Sequence, residues 1–358
     1  MLQRLHLPDA YFWSASFEPQ PLIANSYLFV TETGNVVVDP VLPDEAGYAQ
    51  IERLGGVSSV IVMSPDRRNA AQAFASRYGA TVLAAPRHRE KLFDGAIAIR
   101  LENQKREREF AVAMPGLRTA LVGDCLFGSP AGALSRGSTA DYADPHKAAL
   151  GLRRILAVNP EVLLVSYGQS LFANAYASLY ELLYTLAGAD VHRINVRDLD
   201  FRDERDEGEV QPSHFYCLDA EVGFAIGARK LGYRVSTLEP GQRFCPLHSH
   251  AREEEMFFVL DGEPSVRTLS GTVRCRKGDF IALPVGTTGT HQLLNESHAP
   301  VTVLLLARNE DVEACYYPDS DKLLVDTEAP LVDQRRSIMV RGSPGLDYFD
   351  GEGGPSPQ

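Results

Sequence analysis

Between residues 195 and 213 the chain reads "NVRDLDFRDERDEGEVQPS", a stretch dense in charge with no apolar period. Such a segment offers nothing to a hydrophobic core and reads as a linker or surface excursion. The sequence on its two sides is patterned differently. Upstream, short apolar runs alternate with helical patterns; downstream, strands follow one another through Gly, Pro and Asn turns. A chain of 358 residues exceeds what one core usually serves. Together these features predict a first domain over 1–194, a charged linker over 195–213, a second domain over 214–340 and a tail over 341–358. The tail, rich in Gly and Pro, is expected to be mobile.

In the first domain "YLFV", "NVVVDP", "SSVIVMS", "TVLAAP", "TALVGD" and "EVLLVS" read as buried strands. "AAQAFASRYG", "HKAALGLRRILAVN" and "LFANAYASLYELLYTLAG" read as helices. Alternating strands and helices predict a layered α/β domain. In the second domain "VGFAIGA", "RVSTLEPG", "EMFFVLDGE", "DFIALPVG" and "VTVLLLA" predict an all-β sandwich or barrel. The whole chain is therefore expected to be an α+β protein of two domains.

Formal net charge is -12, which argues against the clustered cationic surface that nucleic acids require. Basic residues in "RHREK" and "NQKRERE" are interleaved with acids, the pattern of a solvated face. Five cysteines without Cys-x-x-Cys spacing predict reduced thiols and a cytoplasmic location. No segment is long and apolar enough to read as a signal peptide or a membrane span.

The chemical signal is concentrated in "CPLHSHAREEEMFFVLDG", residues 245–262. Successive side chains of a strand point to opposite faces, so His248 and His250 share a face and reach one point in space. From Gly241 to Gly262 the stretch resembles the first signature of the cupin superfamily, with Glu255 as the matching carboxylate. "GDFIALPVGTTGTHQLLN", residues 278–295, resembles the second signature and supplies His291. Its gap between Gly286 and His291 is two residues longer than the commonest form, which predicts a lengthened turn. The resemblance covers roughly residues 214–310 and implies a cupin β-barrel, a double-stranded β-helix. It further implies one divalent transition metal bound by His248, His250, Glu255 and His291. Glu254 is the alternative carboxylate, with Glu253 flanking the site.

Three imidazoles and one carboxylate form a mixed nitrogen and oxygen set suited to Fe, Mn, Ni, Zn or Cu. Four protein ligands of an octahedral ion leave two positions for substrate or dioxygen. Cys245, Arg243, Gln292, Asn295 and the tyrosines of "CYYPD" lie near in sequence, and each has a structural reading as a buried thiol or a satisfied turn residue. None is assigned a catalytic role.

The element order of the first domain resembles that of the metallo-β-lactamase-like hydrolases, an αββα sandwich, over roughly residues 20–185. That family gathers two metal ions on a His-x-His-x-Asp-His run. The matching positions here are Ser64, Asp66, Arg68 and Asn69, and the imidazoles are gone. Gly123-Asp124 retains the later Gly-Asp, while the terminal Gly-His region reads Ser166-Tyr167-Gly168. Arg67 and Arg68 would oppose a dication at close range. His88 and His146 read as surface or capping residues. The domain is accordingly expected to be a metal-free scaffold.

Two functions of different classes fit this reading. In one the chain is a metal-dependent cupin enzyme, of dioxygenase or isomerase type, acting on a small molecule. In the other it is a non-catalytic small-molecule sensor or binding module. Hydrolysis in the first domain is a third expectation, disfavoured by the missing ligands. The helix "LFANAYASLYELLYTLAG" carries Leu171, Ala175, Leu179 and Leu182 on one stripe and Tyr176, Tyr180 and Tyr184 on another. Because Tyr is enriched where surfaces meet, a homodimer joined through the first domains is expected.

Overall fold

The computed structural model describes residues 1–17, 22–203, 205, 212–327, 336–342 and 345. Most of the expected tail therefore lies outside the described residues, as does part of the charged stretch. The chain forms two compact units, one of Met1–Asp200 with Phe224–Gly227, the other of Phe201–Gly223 with the residues from Ala228 onward.

The first unit holds two sheets. A six-stranded sheet runs in the order Gln3–Arg4, Ala10–Phe17, Leu22–Phe29, Val36–Val38, Ser59–Ile61, Thr81–Leu83. A five-stranded sheet runs Val162–Val165, Thr119–Val122, Phe110–Met114, Ala96–Arg100, Lys91–Phe93. Burial on both faces explains why the strands Val36–Val38, Phe110–Met114 and Val162–Val165 are apolar at every position. Val36, Val38 and Ile61 meet Phe110, Val112, Leu121 and Leu164 between the sheets. The alternate residues Leu28, Val37 and Val60 pack outward on Ile51, Ala71 and Phe74 of the helices Glu45–Arg53 and Arg68–Tyr78. On the other side Ala111, Ala113, Ala120 and Leu163 pack on Leu152, Leu179 and Leu183. Helices thus cover both outer faces, and a strand buried on two faces has no polar side.

Local signals set the helix ends. Asp44 accepts the Gly47 amide at 2.7 Å at the start of Glu45–Arg53. Gly79, with φ of 70°, closes Arg68–Tyr78 in the left-handed conformation that lacks a penalty only for glycine. Ala96–Arg100 and Phe110–Met114 are strands that the sequence reading did not single out.

Asp39, at the end of Val36–Val38, ties three loops together. It is fully buried. Oδ1 accepts the amides of Met63 and Ser64 at 2.8 and 2.9 Å, and Oδ2 accepts the hydroxyls of Ser64 and Ser166, each at 2.6 Å.

The second unit is built of strands in three sheets. The six-stranded sheet follows the order Arg202–Asp203, Leu218–Glu221, Leu231–Leu238, Val301–Arg308, Glu255–Asp261, Phe280–Leu283. Ser249–His250, Val312–Tyr317, Lys322–Thr327 and Ser337–Arg341 form the second sheet, and Gly271–Arg274, Ser265–Thr268 and His291–Leu294 the third. Leu238, Phe257, Val259, Leu283 and Val303 of the first sheet share a core with Val266 and Leu293 of the third. Among the described residues the hydrogen bonding does not run continuously around a closed barrel.

One expected strand is absent. "VGFAIGA" contains a 3-10 turn at Phe224–Ile226, and Phe224–Gly227 belongs to the first unit. Its apolar residues reflect packing instead of pairing: Phe224 lies edge-on to Tyr176, whose hydroxyl donates to the Phe224 carbonyl at 2.8 Å.

Replacing Asp39 by Ala strips four donors of their acceptor inside the first unit. We expect a loss of about 3–5 kcal/mol in urea unfolding monitored by circular dichroism. Retention of wild-type stability would contradict the linking role of this carboxylate.

Candidate metal centre

The site in the second unit starts from backbone pairing. His248 and His291 exchange main-chain hydrogen bonds, amide to carbonyl, at 3.1 and 2.9 Å. This antiparallel pair brings the two signature segments side by side. His250 follows on the same face two residues later, in Ser249–His250. Glu255 opens the strand Glu255–Asp261, where Phe257 and Val259 continue the buried face. Glu254, one residue out of phase, is exposed.

The lengthened segment before His291 forms the 3-10 turn Thr287–Gly289. A Cβ at Gly289 would lie 1.7 Å from the Pro284 carbonyl oxygen, so the close approach of that turn requires glycine. The Gly289 carbonyl then accepts a hydrogen bond from His291 Nδ1 at 2.8 Å.

The tautomers follow from these contacts. A carbonyl oxygen only accepts, so His291 Nδ1, facing Gly289, and His248 Nδ1, 2.9 Å from the Pro246 carbonyl, carry the protons. The lone pairs of neutral rings are left on Nε2. His248 Nε2 stands 3.0 Å from His250 Nε2. Glu255 Oε2 stands 3.3 Å from His250 Nε2 and 3.0 Å from His291 Nε2. One donor atom from each of the four side chains lies within 4.8 Å of the others.

Electrostatics divide the cluster: His248 is held neutral, whereas His250 is favoured as a cation beside the Glu255 carboxylate until an ion displaces its proton. Burial, then the neighbouring His291 and His250 rings, lower the His248 pKa to about 4, which keeps this imidazole neutral. Burial alone would depress His250, but the Cys315 contact and the Glu255 carboxylate outweigh it and raise its pKa to about 10. Burial likewise opposes ionisation of Glu255, and His250 and His291 overcome it, holding the carboxyl well below its usual range.

The donor set passes a direct test of fit. Glu255 Oε2 is buried and accepts no well-aligned hydrogen bond although two imidazole nitrogens stand close to it. Four donor atoms gathered this closely, with spacings of about 3–4 Å, suit the ligand set of a first-row ion.

The other sequence candidates are committed elsewhere. Gln292 Nε2 donates to the Cys245 carbonyl at 2.6 Å, and Asn295 Nδ2 to the carbonyls of Leu238 and Ala299 at 2.8 Å. Arg243 is exposed. Cys245 Sγ lies 3.5 Å from His248 Nδ1, beside the site. Tyr316 donates to Asp321, whereas the Tyr317 ring stacks on His248. Glu253 Oε2 approaches His250 Nδ1 at 3.7 Å, on the ring edge opposite Nε2. The sequence reading missed Glu313 and Cys315, which also face that edge. Glu313 alternates with Cys315 and Tyr317 along the strand Val312–Tyr317.

In the first unit the positions matching the hydrolase ligands are held by protein groups. Ser64 donates to Asp39, and Tyr167 donates to Asp66. The buried Arg67 guanidinium reaches the Ser166 carbonyl at 3.1 Å and lies 4.5 Å from the Tyr167 ring centre. Asp124 is paired through both oxygens with Arg106. Arg68 and Asn69 are exposed. His88 pairs with Asp200 at 2.9 Å and His146 with Asp190 at 3.1 Å. Among the described residues no group of potential metal donors includes Asp66 or Asp124.

Glu109 is the unexpected member of this network. It is buried, with Arg106 Nη2 3.6 Å from Oε1, and accepts no hydrogen bond among the described residues. Burial first, then the Asp124 charge, raise its pKa to about 7. A carboxyl whose folded pKa exceeds its unfolded value binds more protons in the native state. Its ionisation therefore costs stability as pH climbs from about 4.5 to 7, and the cost persists above 7. Glu109→Gln should gain roughly 1–3 kcal/mol over wild type at pH 8, and the gain should vanish below pH 4.5. Paired urea titrations across this range measure it; a difference independent of pH would refute the assignment.

Comparison with known proteins agrees with both halves. Residues 2–186 match the family model described as Metallo-beta-lactamase superfamily, and residues 234–307 match that of the cupin domain. Similar solved structures include a sugar phosphate isomerase from a cupin superfamily of Silicibacter pomeroyi DSS-3, 22% identical with a TM-score of 0.37, covering 44% of this chain and 98% of that chain. Another is a metallo-beta-lactamase from Pontibacter korlensis, 13% identical with a TM-score of 0.43, covering 52% of this chain and 98% of that chain. No curated protein matches significantly. With more than half its length matched by the first of these families and the four-residue cluster in the region matched by the second, the chain belongs to the metallo-beta-lactamase superfamily and carries a cupin domain after it.

Proposed function

We propose that the protein is a metal-dependent enzyme of the cupin type acting on a small molecule, with its chemistry in the second unit and a non-catalytic first unit. The observation that carries this reading is the convergence of His248 Nε2, His250 Nε2, His291 Nε2 and Glu255 Oε2, with two ring tautomers set by backbone carbonyls. A divalent transition ion there supplies Lewis acidity and open positions for substrate or dioxygen. The chain's own part is to hold the rings and the carboxylate in register before the ion arrives, with Nδ1 of His248 and His291 tied to backbone carbonyls, which lowers the reorganisation that binding requires. In this reading the three sheets enclose the site as a double-stranded β-helix.

The reading gives the first unit no part in metal chemistry. Guanidinium groups stand beside Asp66 and Asp124, and a cation already neutralises each carboxylate. Reduced thiols are consistent with a cytoplasmic location: all five cysteines are free. Among the described residues no helix is long and apolar enough to cross a membrane.

The test is metal analysis by mass spectrometry of protein purified without affinity-resin metals. We expect one transition ion per chain in wild type and less than about a tenth of that in His250→Ala, because loss of a ligand leaves an incomplete set. Full occupancy in the variant would overturn the ligand assignment.

A further inference from the structure

The cupin match ends at residue 307, and the strand Val312–Tyr317 follows it. Antiparallel pairing sets Cys315 opposite His250, and the Ala251 amide donates to the Ala314 carbonyl at 2.9 Å. Period two then sends Glu313, Cys315 and Tyr317 to one side of the strand. Each meets the site. The Tyr317 ring stacks on His248 with centroids 5.7 Å apart, and Cys315 Sγ lies 3.5 Å from His250 Nδ1.

Glu313 does something more specific. Its side chain is 7% exposed, a costly place for a carboxylate without donors. The donors are three consecutive backbone amides, the first of them shared with the Ala314 carbonyl. Ala251 N lies 2.7 Å from Oε1, and Arg252 N and Glu253 N lie 3.1 and 2.9 Å from Oε2. Those residues form the turn that leads from His250 to Glu255, so one carboxylate fixes the chain between two of the four donors. Oε1 also stands 3.9 Å from His250 Nδ1, on the ring edge away from Nε2. Groups that hold a ligand's far edge orient it and tune its basicity.

We propose, on the metal-centre reading above, that Glu313 is a positioning residue of that centre, setting the spacing of His250 and Glu255 and through it the affinity for metal. Glutamine at 313 keeps the shape but presents an NH2 to amides that need an acceptor, and so loosens the turn. The consequence is a change in ligand geometry, beyond any change in stability.

The experiment is a Co(II) titration of the full-length, metal-stripped chain, followed by visible absorption. Wild type, Glu313→Gln and the core control Val259→Ala are compared. Wild type should take one Co(II) with a d–d band. Glu313→Gln should bind about 10–100-fold more weakly with an altered band. Val259→Ala should melt at lower temperature yet keep the wild-type affinity and band. If Glu313→Gln does not fold, Glu313→Asp, one methylene short with its charge retained, is read the same way. A Glu313 variant that matches wild type in affinity and band overturns the positioning role alone, as does a Val259→Ala chain that shifts as Glu313→Gln does. A wild-type chain that takes no Co(II) overturns the metal-centre reading and this inference with it.

Discussion

The main-chain pair between His248 and His291 is the interaction on which the candidate site depends. It joins two segments far apart in sequence, and it fixes side-chain direction because strand pairing determines face. Once these residues are opposite one another, His250 is brought in by its spacing from His248 and Glu255 by its place at the head of an inner strand. The backbone also sets ring orientation. The carbonyls of Pro246 and Gly289 accept hydrogen bonds from Nδ1 of His248 and His291, which turns Nε2 of these two rings toward the centre. Position and ring orientation of His248 and His291 thus come from one set of main-chain contacts, before any ion contributes.

The first unit answers the same electrostatic question differently. Carboxylates packed within a fold must be balanced by donors or cations. Here Arg106 pairs with Asp124 through two hydrogen bonds, and Arg67 stands beside Asp66 and over Tyr167. Guanidinium is weakly hydrated and planar, which makes it the side chain best suited to a buried pair. Asp39 is satisfied by two amides and two hydroxyls. Glu109 is the residue this compensation does not fully reach, and burial with the Asp124 charge raises its pKa.

Much of this was legible in the sequence. Period-two and helical patterns identified most strands and helices of the first unit, because burial on both faces leaves long apolar runs. His-x-His and the later His named three imidazoles, and the spacing to Gly262 favoured Glu255 while leaving Glu254 as the alternative; in the structure Glu255 lies at the cluster and Glu254 is exposed. "VGFAIGA" misled because apolarity signals burial without naming the partner: Phe224 packs on Tyr176 and forms no strand. Glu313 escaped because its role is a contact with three amides some sixty residues away, which no local pattern encodes. Arg106 escaped for a related reason, since its partner Asp124 is met only through the sheet.

The proposed metal centre is a single one, among His248, His250, Glu255 and His291, and the acids of the first unit are proposed to hold none. Anomalous scattering at the absorption edge of the bound metal, from crystals of the full chain, tests this most directly. One peak per chain within bonding distance of those four side chains is the predicted result. A peak beside Asp66 or Asp124, or none at the four in protein shown to carry metal, would contradict it.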